Sequence, residues 1–190
     1  MTDCDEIYEA DEVRAVMAAC ATSPTGLRDA AIVHTLWCTG LRCAEMCSLM
    51  PADIDRERGT VWVAHGKGGI SRTVVVPGRM RLELWARLDK WLKARADHAW
   101  VDSPLFCSLH GGRLDDSYVR RTLKLLAANA GLSKRFHPHG LRHTFAAKMH
   151  LGGVSLGVIQ QQLGHADLTI TGRYLRKICD DTLRELVARA

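Results

Sequence analysis

Two arginines, two histidines, a lysine and a tyrosine are spaced along this chain in a way that suits the handling of a phosphodiester. Most of them fall in residues 139–174. The run His139-Gly140-Leu141-Arg142-His143 comes first, then Leu163-Gly164-His165, and Tyr174 follows nine residues after that last histidine. Arginine is a permanently charged planar fork that fits two phosphate oxygens at once. Histidine takes or gives a proton near neutral pH. Tyrosine can attack phosphorus and become a covalent carrier. Arg42 and Lys67 are the partners that the rest of the chain must bring to this stretch.

The elements that would position them are mostly helices. Apolar spacing predicts helices over residues 9–21 and 27–39, separated by the breaker Ser23-Pro24-Thr25-Gly26, with Gly40 as the C-terminal stop of the second. Arg42 then opens a short helix over 43–49 that Pro51 ends. Residues 60–64 and 72–76 are β-branched runs around the Gly-rich segment His65-Gly66-Lys67-Gly68-Gly69, which reads as a hairpin with Lys67 in its turn. A long amphipathic helix is expected over 80–96, burying Leu82, Trp85, Leu88, Trp91 and Leu92. Residues 105–108 are a strand fragment. A helix over 115–130 carries Arg120, Arg121 and Lys124 along one side. Pro138 begins the helix that holds Arg142, which ends near Gly152-Gly153. Ser155 caps a helix to Leu163, Asp167 caps one that carries Tyr174, and residues 175–190 form a last amphipathic helix. The expected fold is mainly α with a small antiparallel β-sheet, in a single domain over 1–190.

Bulk properties remove several function classes. The 190 residues are enough to bury a core without disulfides or metals, and 47% apolar with 25% charged residues is ordinary for a globular protein. No apolar run approaches the ~20 residues needed to span a bilayer, and the acidic N-terminus lacks a signal peptide's pattern. Seven cysteines without a CxxC pair read as buried thiols in a reducing cytoplasm. The net charge of +5 is unevenly placed: residues 1–110 hold 13 Lys and Arg against 15 Asp and Glu, residues 111–190 hold 13 against 6. A basic half of this kind either faces a polyanion or is a solvated surface.

Three competing motifs are weaker. Gly66-Lys67-Gly68 lacks the Ser or Thr and the helix that follow the lysine of a nucleotide-binding loop. His139 and His143, four apart, could grip zinc, as could Cys43 and Cys47, but the first pair flanks Arg142 and the second lies in an apolar helix. His143 is expected to be a satisfied, partly buried histidine. Residues 155–175 also read as a helix-turn-helix, so a plain DNA-binding module explains the basic half. It does not explain why Arg42 follows a Thr-Gly-Leu turn and precedes Glu45.

Over residues 7–176 the chain resembles the tyrosine recombinases, the phage integrase family, in their catalytic domain. Thr39-Gly40-Leu41-Arg42-Cys43-Ala44-Glu45 is similar to the box with the first catalytic arginine and its supporting acid. Lys67 matches the family's lysine, His139 and Arg142 its general base and second arginine, His165 its His-or-Trp position, and Tyr174 its nucleophile. The resemblance implies DNA strand cleavage and rejoining through a 3′-phosphotyrosyl bond, without metal, ATP or any other cofactor, by an enzyme of mobile genetic elements. It assigns Arg42, Lys67, His139, Arg142, His165 and Tyr174 to catalysis and Glu45 and His143 to support. Arg120, Arg121, Lys124 and Arg173 are candidates for holding DNA. It implies double-stranded DNA as partner and a tetramer on DNA, in which C-terminal tails dock on neighbours. A monomer off DNA is compatible with it, as are accessory DNA-bending or directionality proteins, and a cytoplasmic, nucleoid-associated location. The family's N-terminal core-binding domain is expected to be absent, since the chain begins where the catalytic domain would. Two alternatives stay open: a topoisomerase-like nicking and closing enzyme, and a non-catalytic DNA-binding regulator with the same fold.

Overall fold

A computed structural model of the chain describes residues 7–64 and 71–164. The elements run α1 (Ala10–Ala18), α2 (Pro24–Thr39), α3 (Cys43–Ser48), a single 3-10 turn (Pro51–Asp53), β1 (Ile54–Asp55), β2 (Thr60–Val63), β3 (Arg72–Val75), α4 (Gly78–Arg95), α5 (Asp116–Asn129), α6 (Pro138–Leu151) and α7 (Leu156–Leu163). The described part is therefore mainly helical with one small antiparallel sheet, as the sequence predicts.

Helix α2 is the centre of the molecule. Nearly every residue from Ala30 to Thr39 is buried, because α1, α3, α4 and α6 all pack against it. It starts earlier than its apolar pattern suggests. Ser23 and Pro24 begin the helix rather than break the chain: the Ser23 hydroxyl accepts from the Gly26 amide at 3.3 Å, and Pro24 takes the first helical position, where no amide is needed. Its end is as expected. Gly40 sits in the left-handed region at φ +62°, and a Cβ there would stand 2.5 Å from the Phe145 ring.

The sheet has the order β1-β2-β3, all antiparallel, with Val61 opposite Val74 and Val63 opposite Arg72. Val61, Val63 and Val74 face the core while Trp62 and Val75 face outward. The two-residue strand β1 has no signal of its own in the sequence. Helix α4 corrects one expectation. Leu82 is 84% exposed and Leu84 is fully buried, so the inward stripe is Leu84, Leu88 and Trp91, with Trp85 and Leu92 half-buried. Leu82 lies roughly 200° around the helix from Leu84 and cannot share its face.

Buried polar groups tie the long connection before α5 to this core. Trp91 Nε1 donates to the Leu105 carbonyl at 2.7 Å, and Leu105 N donates to the Leu49 carbonyl. Arg28, buried on α2, donates to Asp29, to the Cys107 carbonyl and to the Tyr118 hydroxyl. The fragment at residues 105–108 is a lone bridge, Cys107 to Arg113. The five described cysteines are free thiols; Cys38, Cys43, Cys47 and Cys107 are buried and Cys20 half-buried. No helix among the described residues is long and apolar enough to cross a membrane.

Candidate active site

The site is assembled around the end of α7. Arg142 lies on the buried side of α6, where its Nη1 donates to the Gly40 carbonyl and its Nη2 to the Leu163 carbonyl, both at 2.7 Å. Arg42 arrives from the other direction, at the N-cap of α3, because the left-handed Gly40 turns the chain out of α2 two residues before it. Its Nη2 donates to the Gly164 carbonyl at 3.0 Å and its Nη1 to the Leu163 carbonyl at 3.4 Å. Two guanidinium groups from separate helices thus meet on one turn of backbone, and the next residue in the chain is His165.

Glu45 holds this arrangement from behind. Its Oε2 accepts the Arg42 backbone amide at 2.9 Å, which caps the start of α3, and its Oε1 accepts Arg42 Nη1 at 2.9 Å. Burial by itself would raise the Glu45 carboxyl pKa. Arg72 and Arg42 outweigh that and hold it down at about 2, so Glu45 is ionised at neutral pH. The carboxylate faces two arginines.

Arg72 and Gln162 were not anticipated. Arg72 opens β3 on its inward face, beside Val74, and makes a two-pronged ion pair with Glu45 (Nη1 to Oε1 and Nη2 to Oε2, 2.8 Å each) while its Nε donates to the Gln162 carbonyl. The Gln162 side chain pairs with Val75 as a neighbouring strand would: its amide accepts from the Val75 N–H at 3.1 Å and donates to the Val75 carbonyl at 2.7 Å. Together these bonds tie α7 to β3. A signal for Arg72 was present: a charge on the apolar side of a two-residue alternation calls for a buried acid. Gln162 had none, since its partner is backbone.

His139 stands exposed in the first turn of α6, and its Nε2 lies 2.8 Å from the Nε2 of His143 one turn later. At that distance one ring nitrogen donates and the other accepts, and the tautomers decide which. His143 is half-buried, as expected, and its partner is the candidate base itself. The start of α6 is fixed by Tyr8, which is fully buried, with its hydroxyl donating to the Arg135 carbonyl at 2.6 Å and its amide to Thr144 Oγ1 at 2.9 Å.

Arg120, Arg121 and Lys124 are exposed along α5. Arg120 is engaged by Asp116 one turn back and Arg121 leans over the Tyr118 ring. Lys67, His165, Arg173 and Tyr174 lie outside the described residues, as do the helices expected after Asp167. The described strands do run in antiparallel register on either side of the segment with Lys67, Val63 pairing with Arg72.

Comparison with known proteins gives one consistent answer. The profile of the Phage integrase family matches residues 6–179. The chain is 34% identical over 181 residues to tyrosine recombinase XerC of Xylella fastidiosa (strain 9a5c), covering 92% of this chain and 59% of that protein. It is 38% identical over 168 residues to tyrosine recombinase XerA of Pyrococcus furiosus, covering 86% of this chain and 55% of the relative. Among solved structures, XerA recombinase superposes with a TM-score of 0.75 at 29% identity, over 93% of this chain and 62% of that one. XerH recombinase in a post-cleavage complex with palindromic difH substrate gives 0.78 at 25% identity, over 96% of this chain and 52% of that one. The chain spans between about half and just over three-fifths of the length of these relatives, and its fold is that of the corresponding part of recombinases.

Proposed function

The chain belongs to the phage integrase family, and from that premise we propose that it cuts and rejoins DNA strands at specific sites through a covalent tyrosyl-DNA bond. The observation that supports the reading most is the convergence of Arg42 and Arg142 on the Leu163–Gly164 turn. Phosphoryl transfer is catalysed chiefly by positioning and by electrostatic stabilisation of the non-bridging oxygens, and two arginines fixed by buried backbone acceptors supply both.

In this reading Tyr174 attacks phosphorus and displaces the 5′-oxygen, leaving a 3′-phosphotyrosyl bond and a free 5′-hydroxyl. A free tyrosine titrates near ~10 and must lose its proton to a base. His139 takes that role, with the proton shared to His143 across their 2.8 Å contact. His165 donates to the phosphate that the arginines hold, and Lys67 protonates the departing 5′-oxygen. Because the ester is retained in the phosphotyrosyl bond, rejoining needs no ATP, and the two arginines take the charge-stabilising place of a metal ion. Double-stranded DNA is the substrate, the solved XerH complex being a relative seated on its DNA. A tetramer on DNA, accessory directionality proteins and a cytoplasmic, nucleoid-associated location complete the proposal.

The test is a suicide substrate. The full chain is incubated with a library of nicked duplexes from the neighbouring genome in EDTA, and SDS-stable protein–DNA adducts are sought. The expected result is an adduct that survives EDTA and disappears in Tyr174→Phe while DNA binding persists. An adduct that persists in Tyr174→Phe removes Tyr174 as nucleophile. DNA binding with no adduct favours a regulator, and plasmid relaxation without strand exchange favours a nicking and closing enzyme.

A further inference from the structure

Glu45 lies between two arginines, and its two contacts are unequal. The Arg72 guanidinium occupies both carboxylate oxygens at 2.8 Å, whereas the Arg42 guanidinium reaches Oε1 alone, at 2.9 Å, with only the Arg42 backbone amide on Oε2. The three side chains also differ in access to solvent. Arg42 is 28% exposed, Arg72 9% and Glu45 4%, so Arg42 is the member that an incoming anion meets.

A carboxylate that orients an arginine also cancels its charge. Arg42 and Glu45 by themselves sum to zero, and a neutral ion pair is a poor receptor for a phosphate. A second buried arginine on the same carboxylate returns the group to a net charge of +1. We propose that Arg72 is a positioning residue whose charge offsets Glu45, so that Glu45 orients Arg42 while the charge of Arg42 remains available to a phosphate. The inference rests on Arg42 being a phosphate ligand, as in the function proposed above. It concerns a residue whose guanidinium is already committed: Arg72 pairs with Glu45 on one side and is bonded to the Gln162 carbonyl on the other.

A structural role and a charge role for Arg72 make opposite predictions for one double variant. If Arg72 only braces α7 against β3, then removing the Glu45 charge as well as Arg72 does further damage. If Arg72 offsets Glu45, removing both charges frees Arg42 again.

The experiment uses the full chain with isotopically labelled arginine. The Arg42 Nε–Hε resonance, assigned by its loss in Arg42→Lys, is followed as inorganic phosphate is added at pH 7. Arg72→Met should weaken phosphate binding about tenfold, the size expected for loss of one charge-assisted contact. Arg72→Lys keeps the charge without the two-pronged geometry and should remain close to the parent chain. The double variant Glu45→Gln with Arg72→Met should recover most of the loss. Recovery, together with retention in Arg72→Lys, supports the assignment. A double variant no better than Arg72→Met overturns it, as does an Arg42 resonance in the parent chain that ignores phosphate. The same panel is then assayed for adduct on nicked duplex. A parent chain that binds phosphate in the expected order but forms no adduct sinks the strand-transfer reading and leaves the charge assignment standing.

Discussion

Arg42 and Arg142 share an acceptor: the carbonyl oxygen of Leu163 takes Nη2 of Arg142 at 2.7 Å and Nη1 of Arg42 at 3.4 Å. Arg142 also holds the Gly40 carbonyl, so it joins the end of α2 to the end of α7 through one buried planar group. Lysine cannot copy that bridge, because its ammonium is a single point of donation. Arg142→Lys should therefore lower stability by about 2 kcal/mol, the cost of leaving a buried acceptor unmet. Urea unfolding followed by circular dichroism measures this, and a variant as stable as the parent would mean the bridge is dispensable.

The Glu45 carboxyl predicts an acid limb. Its pKa falls from 4.5 to about 2 on folding, through the two arginines. A depressed acid contributes stability that is full above the unfolded value and is lost as pH falls through the folded one. Stability should thus drop between pH 4.5 and 2, by up to about 3 kcal/mol from this group. Glu45→Gln should be less stable at neutral pH and show a shallower fall over that interval.

His34 predicts a second limb at higher pH. It is fully buried on α2 beside Trp37, with no hydrogen-bond partner for either ring nitrogen among the described residues. Burial, with Arg87 adding to it, pushes its pKa down from 6.5 to about 4. The folded chain binds this proton less readily than the unfolded one, so the stability contribution is full above pH 6.5 and is lost as pH falls toward 4. The loss is of order ~3 kcal/mol. His34→Leu should flatten that window while leaving the fall below pH 4.5 in place. Equilibrium unfolding at half-unit steps of pH separates the two limbs.

Lys67 is predicted to act on the leaving group. Lys67→Ala should slow cleavage roughly 10²–10⁴-fold, the usual contribution of a general acid. A 5′-bridging phosphorothiolate, whose thiolate departs without a proton, should restore the rate. A variant equally slow on both substrates assigns the acid to another residue.

Most of the fold was legible because its elements announce themselves locally. Gly40 stops α2, Pro138 starts α6, and the alternation of residues 60–63 and 72–75 marks a hairpin. What was missed depends on contacts distant in sequence. Ser23-Pro24 reads as a break or as a helix start according to whether the hydroxyl turns back to Gly26. Leu82 and Leu84 are both leucines in an apolar helix, and only the position of α2 selects which one is covered. In the site, Arg42, Glu45, His139 and Arg142 stand in recognisable boxes. Arg72 and Gln162 act across 27 and 87 residues, on a side chain and on a strand backbone; the local pattern asks for an acid opposite Arg72 without saying which, and says nothing of Gln162.

The bond pattern of Gln162 has a further consequence, for self-association. Among the described residues strand β3 is an outer strand of its sheet, and an outer strand offers unpaired N–H and carbonyl groups on which another chain can template. At Val75, an exposed apolar position, the Gln162 amide occupies both groups. One glutamine thus serves as a blunt end to the sheet. A chain that lost it would present an adhesive margin beside Trp62 and Val75, and its solubility at high concentration would fall before its fold did.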